Sequence, residues 1–205
     1  MGDLNEKCGV FGIYSKDREV ARIAFFGLFA LQHRGQEASG IAATDGVHLR
    51  SFRNKGLVSN VFTEEKIKKL AGFAAIGHNR YSTSKGNHVS HAQPVIIEPI
   101  IDTSYKGGGI RASDGLLALA HNGNLPSTTA LVSFLGKKNI PTTDDQSDSE
   151  LMALAISFYL HEGKTLPEAV RVCYPLFTGT FSLLVLTKDS FVAVRDQCGI
   201  RPLSL

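Results

Sequence analysis

Cys8 stands at the head of a short apolar run, CGVFGIY, near the N-terminus. A thiolate is a nucleophile and an acyl carrier, but a free cysteine is also a small buried hydrophobe, and its neighbours in sequence do not decide between the two. Loss of residues 1–7 would add a second group at the same position: an α-amine with a pKa near ~8, placed to act as base to its own thiol. Asn122-Gly123, within LALAHNGNLPS, also has two readings. Asn-Gly between apolar runs signals a type I′ hairpin turn. The same pair supplies a side-chain amide and an unobstructed backbone N–H, the donor types of an oxyanion hole. Arg80, in GHNRYST after an apolar strand, is either a surface cation or a planar fork for a carboxylate.

Other clusters favour structure over chemistry. Asp144, Asp145, Asp148 and Glu150 offer carboxylates for a hard cation, without the spacing of an EF-hand loop. Ser147-Asp148-Ser149-Glu150 instead fits a capping box ahead of Leu151, Met152, Leu154 and Ala155, which puts Asp148 in a first helical turn. His78, His88, His91 and His121 lack Cys or His partners at zinc-finger distance, so no metal site is expected. Gly107 to Ala112 matches G-x-G-x-x-A, but Ser113, Asp114 and Gly115 do not open a helix; a hairpin tip is expected in place of a dinucleotide site. Arg34 and Gly35 read as the charged end and glycine stop of a helix.

The elements that must position these residues follow from periodicity. Strands are expected over 8–14, 39–44, 47–52, 73–80, 116–121, 181–187 and 191–195, with Asp45-Gly46 as a turn between the second and third. Helices are expected over 18–32, 64–70, 127–138, 147–161 and 166–176. The first is apolar almost all round, which predicts burial between layers. Strands at both ends with helices between them predict an α+β fold, antiparallel sheet covered by helices. Asp196 to Leu205 reads as a loop leading into further protein.

With 205 residues the chain is long enough for a sizeable core without staples. Twenty-two basic residues against nineteen acidic ones leave +3, and the basic residues are scattered, which excludes a nucleic-acid footprint. No apolar run approaches the roughly 20 residues of a membrane span, and no signal peptide opens the chain. Glu6 occupies the position where a myristoylation signal needs Ser or Thr. Three cysteines make an odd set, pointing to a reducing, cytoplasmic compartment and away from a disulfide framework.

Six segments in order, CGVFGI at 8–13, LQHRGQEASGIA at 31–42, GHNRYST at 77–83, LAHNGNL at 119–125, SDSE at 147–150 and GIRPL at 199–203, resemble the glutaminase domain of the amidophosphoribosyltransferases. The resemblance spans nearly all of residues 8–205. It implies a class II, N-terminal-nucleophile amidotransferase domain with a four-layer αββα sandwich, after a propeptide of residues 1–7. It further implies Cys8 as nucleophile with its own α-amine as base, and Asn122 and Gly123 as oxyanion donors. Arg80 would grip the glutamine α-carboxylate and Asp148 its α-amino group, while Arg34, Gly35 and Thr83 would shape the pocket. Glutamine is the implied substrate. No cofactor is implied for this domain; Mg²⁺ and an iron–sulfur cluster would belong to the absent part of the full-length protein. The implied partners are a phosphoribosyltransferase domain, for which this chain holds no matching segment, and further copies in a homo-oligomer. Three features depart from the family's usual wording: His91 in His91-Ala92-Gln93-Pro94 where Asn is usual, a longer stretch at 107–114, and Cys198. The competing expectations are a domain that keeps the fold without catalysis, and a class II amidotransferase serving another acceptor.

Overall fold

The computed structural model describes residues 8–81, 92–98, 111–113 and 116–205. Residues 1–7, expected to be a propeptide, and Thr83, His88, His91 and most of the 107–114 stretch therefore lie outside the described residues. Two antiparallel sheets face each other. The first contains β1 (Gly9–Tyr14), β2 (Ala38–Thr44), β3 (Leu49–Lys55), β4 (Ala74–Arg80) and β6 (Arg111–Ser113), in the order β1-β4-β2-β3-β6. The second contains β5 (Val95–Ile97), β7 (Leu117–Asn124), β8 (Thr180–Leu186) and β9 (Phe191–Arg195), in the order β5-β7-β8-β9. Helices α1 (Val20–Ala30), α2 (Val58–Val61) and α3 (Glu64–Lys69) lie on the first sheet's side, α1 packing on β1, β2 and β4. Helices α4 (Thr129–Lys137), α5 (Asp148–His161) and α6 (Leu166–Cys173) lie on the second sheet's side, with α5 against β7 and β5. The result is the expected α+β fold, an αββα sandwich.

Strand alternation builds this layering. On β2, Ile41 and Ala43 join α1 in one outer core, while Ala42 between them faces the other sheet. On β8, Leu183 and Val185 face the helices, and Leu184 and Leu186 face the first sheet. Central strands are thus apolar on both faces, and all seven residues of β2 are buried. The middle core consists of Ala42, Leu49, Ala74, Ile76, Ala118, Ala120, Leu184 and Leu186. Small alanines across from leucines let the sheets interdigitate.

Two expectations need correction. Helix α1 is not buried all round: Phe26 is 59% exposed and Phe29 55% exposed. Val20, Ala24 and Leu28, one turn apart, form the inward stripe, and the phenylalanines cover one another through Phe25 on the outside. The strand expected from Val47 begins at Leu49 instead. The Asp45 carboxylate accepts the N–H groups of Val47 at 2.9 Å and His48 at 2.7 Å, and so holds both in the turn. Gly46 supplies the left-handed φ of +92° that this turn needs. Three short elements, α2, β5 and β6, were not expected.

One polar tie crosses the middle layer. His78 of β4 is buried, and its Nε2–H donates to the carbonyl oxygen of His121 on β7 at 3.1 Å. Burial disfavours the imidazolium and pushes the His78 pKa down to about 3.

The layering predicts a contrast. Ile76→Ala should cost about 2–5 kcal/mol and lower the melting temperature, whereas Phe26→Ser should change stability by no more than about 0.5 kcal/mol. Equal losses in thermal melts would contradict the assignment of α1 to an outer layer. His78 predicts acid sensitivity. Its folded pKa lies below the ordinary 6.5, so the neutral ring's full contribution is present above pH 6.5 and is lost as pH falls towards 3. Urea melts over this window should show the loss, and His78→Gln should remove that component.

Candidate active site

Cys8 immediately precedes β1 with a φ of +71°, one of two non-glycine residues in the left-handed region among those described. Such a backbone costs of order 1–3 kcal/mol and persists only when its surroundings hold it. Here Arg34 holds it from both sides. The Cys8 N–H donates to the Arg34 carbonyl at 3.0 Å, and Arg34 Nε donates to the Cys8 carbonyl at 2.9 Å. The sulfur faces the end of β4, where the Tyr81 N–H points at Sγ from 3.4 Å and the Tyr81 carbonyl lies 3.7 Å away. Burial pushes the Cys8 thiol up; the Tyr81 contact and the charges of Arg80, Arg201 and Arg34 oppose that rise without cancelling it.

Arg34 closes a 3₁₀ turn, Gln32–Arg34, that follows α1. Gly35 is not the left-handed helix stop expected, because its φ is −163°. It serves by size: a Cβ there would sit 2.7 Å from the Arg80 carbonyl carbon. The chain after α1 thus lies directly on the end of β4, and this contact brings Arg34 and Arg80 to Cys8. Arg80 is largely enclosed, with its Nε 3.9 Å from the Glu37 carboxylate, and its carbonyl accepts the Glu37 N–H at 3.1 Å.

The Asn122-Gly123 turn is not found. Both residues lie within β7, paired with Ser182 and Phe181 of β8. Seven residue pairs between β7 and β8 override the local turn preference. Gly123 is again a matter of size, since a Cβ would stand 2.4 Å from the Thr180 carbonyl oxygen. Asn122 is buried and its Oδ1 has no hydrogen-bond partner among the described residues. It lines a cavity of about 220 Å³ together with Gly9, Arg34, Pro202 and Ser204. Gly9 next to Cys8, Arg34 and Asn122 therefore share one space.

Asp148 does not line that cavity. It occupies the first turn of α5 behind an intact capping box formed by Ser147 and Glu150. Its carboxylate accepts the Ser149 N–H at 2.7 Å and the Leu125 N–H at 3.1 Å, and lies 3.6 Å from His121 Nδ1. Burial alone would raise its pKa, but the His121 contact and the two N–H groups outweigh it and hold it at about 2. Behind β7, Gln93 accepts the His121 N–H at 2.7 Å and donates to Ser149 Oγ at 2.9 Å, and that hydroxyl lies 3.0 Å from His121 Nδ1. This network fixes the strand that carries Asn122 and ties it to Asp148. Gln93, Ser149 and Arg201 were not singled out as site residues; no local spacing links them to Cys8 or to β7. Among the described residues no three His, Cys, Asp or Glu side chains gather as metal ligands.

The chain is similar to known proteins over nearly its whole length. Residues 100–205, just over half of the chain, match the model of the glutamine amidotransferase domain. The amidophosphoribosyltransferase of Synechocystis is 40% identical over 198 residues, covering 97% of this chain and 37% of its own length. That of Methanocaldococcus jannaschii is 39% identical, covering 97% of this chain and 39% of its own. A solved structure described as the allosteric regulatory enzyme of purine biosynthesis superposes with a TM-score of 0.77 at 34% identity, over 94% of this chain and 38% of that one. The phosphoribosylpyrophosphate amidotransferase of Bacillus subtilis, complexed with ADP and GMP, gives a TM-score of 0.72 at 32% identity, over 95% and 38%. The chain thus spans less than two fifths of these relatives' length. Its two-sheet sandwich and the matched half of its sequence together show that the chain belongs to the glutamine amidotransferase domain family.

Proposed function

We propose that this domain hydrolyses glutamine to glutamate and ammonia through a Cys8 thioester, as the ammonia-supplying part of an amidophosphoribosyltransferase in de novo purine synthesis. The observation that carries the reading is the double hold of Arg34 on Cys8 beside a cavity lined by Asn122. Removal of residues 1–7 would turn the Cys8 amide nitrogen into an α-amine already next to the Arg34 carbonyl. The thiolate then attacks the side-chain amide carbon of glutamine, and the tetrahedral oxyanion is held by the Asn122 amide and the Gly123 N–H. The C–N bond breaks, and ammonia leaves with a proton from the Cys8 ammonium. Water, deprotonated by the same amine, adds to the thioester; the C–S bond breaks and glutamate departs.

Arg80 is assigned to the α-carboxylate of the substrate and Asp148 to its α-amino group. The low pKa of Asp148 suits that role, because the carboxylate stays charged at neutral pH. Arg34, Gly35 and Thr83 are assigned to the pocket wall. The cycle uses no metal or redox cofactor in this domain; Mg²⁺ and an iron–sulfur cluster are assigned to the remainder of the full-length protein. That remainder would supply a phosphoribosyltransferase domain as acceptor of the ammonia and the contacts of a homo-oligomer. Three cysteines, an odd set, suit a reducing compartment, and we assign the protein to the cytoplasm on that ground.

Ammonia release should be seen with glutamine and not with asparagine or a peptide amide, and Cys8→Ala should abolish it. Equal use of asparagine would favour a different amide hydrolase, and no release by protein beginning at Cys8 would favour a domain without catalysis. Asn122→Ala should lower kcat roughly 10²–10³-fold with an unchanged thermal melt; full activity would remove Asn122 from the oxyanion site. Arg80→Lys keeps the charge and loses the fork, so kcat/KM for glutamine should fall by the equivalent of about 1.5–3 kcal/mol, and Asp148→Asn should weaken it likewise. Unchanged kinetics in both would sink the substrate grip.

A further inference from the structure

Arg34 holds Cys8, and the turn that carries Arg34 is itself anchored by two side-chain amides, one before it and one within it. Before the turn, Asn79 of β4 is fully buried, and its Nδ2 donates to the Leu28 carbonyl near the end of α1 at 2.7 Å. Its Oδ1 accepts the hydroxyl of Ser39 on β2 at 3.0 Å. In the sheet Asn79 pairs with Gly9 on one side and Ser39 on the other. This tie therefore fixes the end of α1 to three strands at the level of the nucleophile.

Within the turn, Gln32 Nε2 donates to the Gly35 carbonyl, while the Gly35 N–H donates to the Gln32 carbonyl at 3.2 Å. A ring of two hydrogen bonds thus closes around His33 and Arg34. The Gln32 Oε1 accepts the N–H of Val58, the first residue of α2, at 2.7 Å. One amide spends a donor and an acceptor on two different segments. It does not line the cavity, and no step of the proposed cycle uses it. A 3₁₀ turn of three residues has hydrogen bonds of poor geometry and is held weakly by them alone. Rotation there would carry away both groups that grip Cys8, the Arg34 carbonyl and Arg34 Nε. The left-handed cysteine would then be free to relax.

We propose, on the reading of Cys8 as nucleophile, that Gln32 is a positioning residue for it: the Gln32 amide locks the turn in the form in which Arg34 grips Cys8 from both sides. The α-carboxylate of the substrate is assigned to Arg80 on β4, and Asn79 ties β4 to α1 independently of Gln32. Loss of the Gln32 amide therefore disturbs the attacking sulfur more than the grip on glutamine.

The test is glutamine hydrolysis by protein beginning at Cys8, comparing the parent with Gln32→Glu and Gln32→Met, each with a thermal melt. Glutamate keeps the length and the acceptor for Val58 but, ionised, cannot donate to Gly35; methionine keeps the length and loses both ties. In variants folded at the assay temperature, kcat should fall roughly 10–100-fold while KM for glutamine stays within about threefold. A folded variant with the parent's kcat would overturn the proposal. So would a KM that rises as far as kcat falls, which would place the effect in the substrate pocket. Failure of both variants to fold would overturn it as well, by giving Gln32 a purely structural role. The parent alone judges the underlying reading: a parent that releases no ammonia removes the assignment of Cys8 and this proposal with it, whereas an active parent with equally active variants removes only the role of Gln32.

Discussion

One residue, Arg34, holds both main-chain polar groups of Cys8, and most of the architecture serves that hold. A left-handed cysteine at the start of a strand is strained, and a single hydrogen bond at either side would leave it free to relax. Arg34 reaches both sides because a 3₁₀ turn ends α1 beside β1 and because Gly35 then lies on the end of β4. That in turn requires β1 and β4 to be neighbours, which their register from Gly9–Asn79 to Tyr14–Ala74 provides. The core beneath α1 and the position of the thiol are in this sense one constraint.

The second sheet answers with the opposite chemistry. β7 brings a buried amide, Asn122, to the same cavity, and its other side is held by Gln93, Ser149 and His121. His78 links the two halves across the middle layer. The site combines a desolvated thiol, three guanidinium charges around it and, one strand away, a carboxylate held ionised by its own hydrogen bonds. Burial and charge act against each other at Cys8, and their balance sets how much thiolate is present at neutral pH.

Much of this was legible in the sequence. Period-two and period-3.6 patterns located the longer strands and helices, and the Ser147–Glu150 capping box placed Asp148 in a first turn, as found. What escaped was either short or non-local. β5 and β6 have three residues each and offer too little pattern, and α2 has only four. The apolar count of α1 could not tell an inward stripe from phenylalanines that cover each other outside. Asn122-Gly123 carries a true turn preference, which β8 overrides by pairing through it. Gln93 and Ser149 act through partners far away in the chain, so no window of sequence reveals them.

The central claim is that Cys8, among three cysteines, is the glutamine-directed nucleophile. Buried Cys173 and exposed Cys198 are built-in controls. The direct measurement is peptide mass spectrometry of protein beginning at Cys8 after treatment with a glutamine analogue that carries a diazoketone in place of the amide. The account predicts one adduct, on Cys8, suppressed by excess glutamine. Labelling of Cys198, or labelling of Cys8 that glutamine does not suppress, would contradict it.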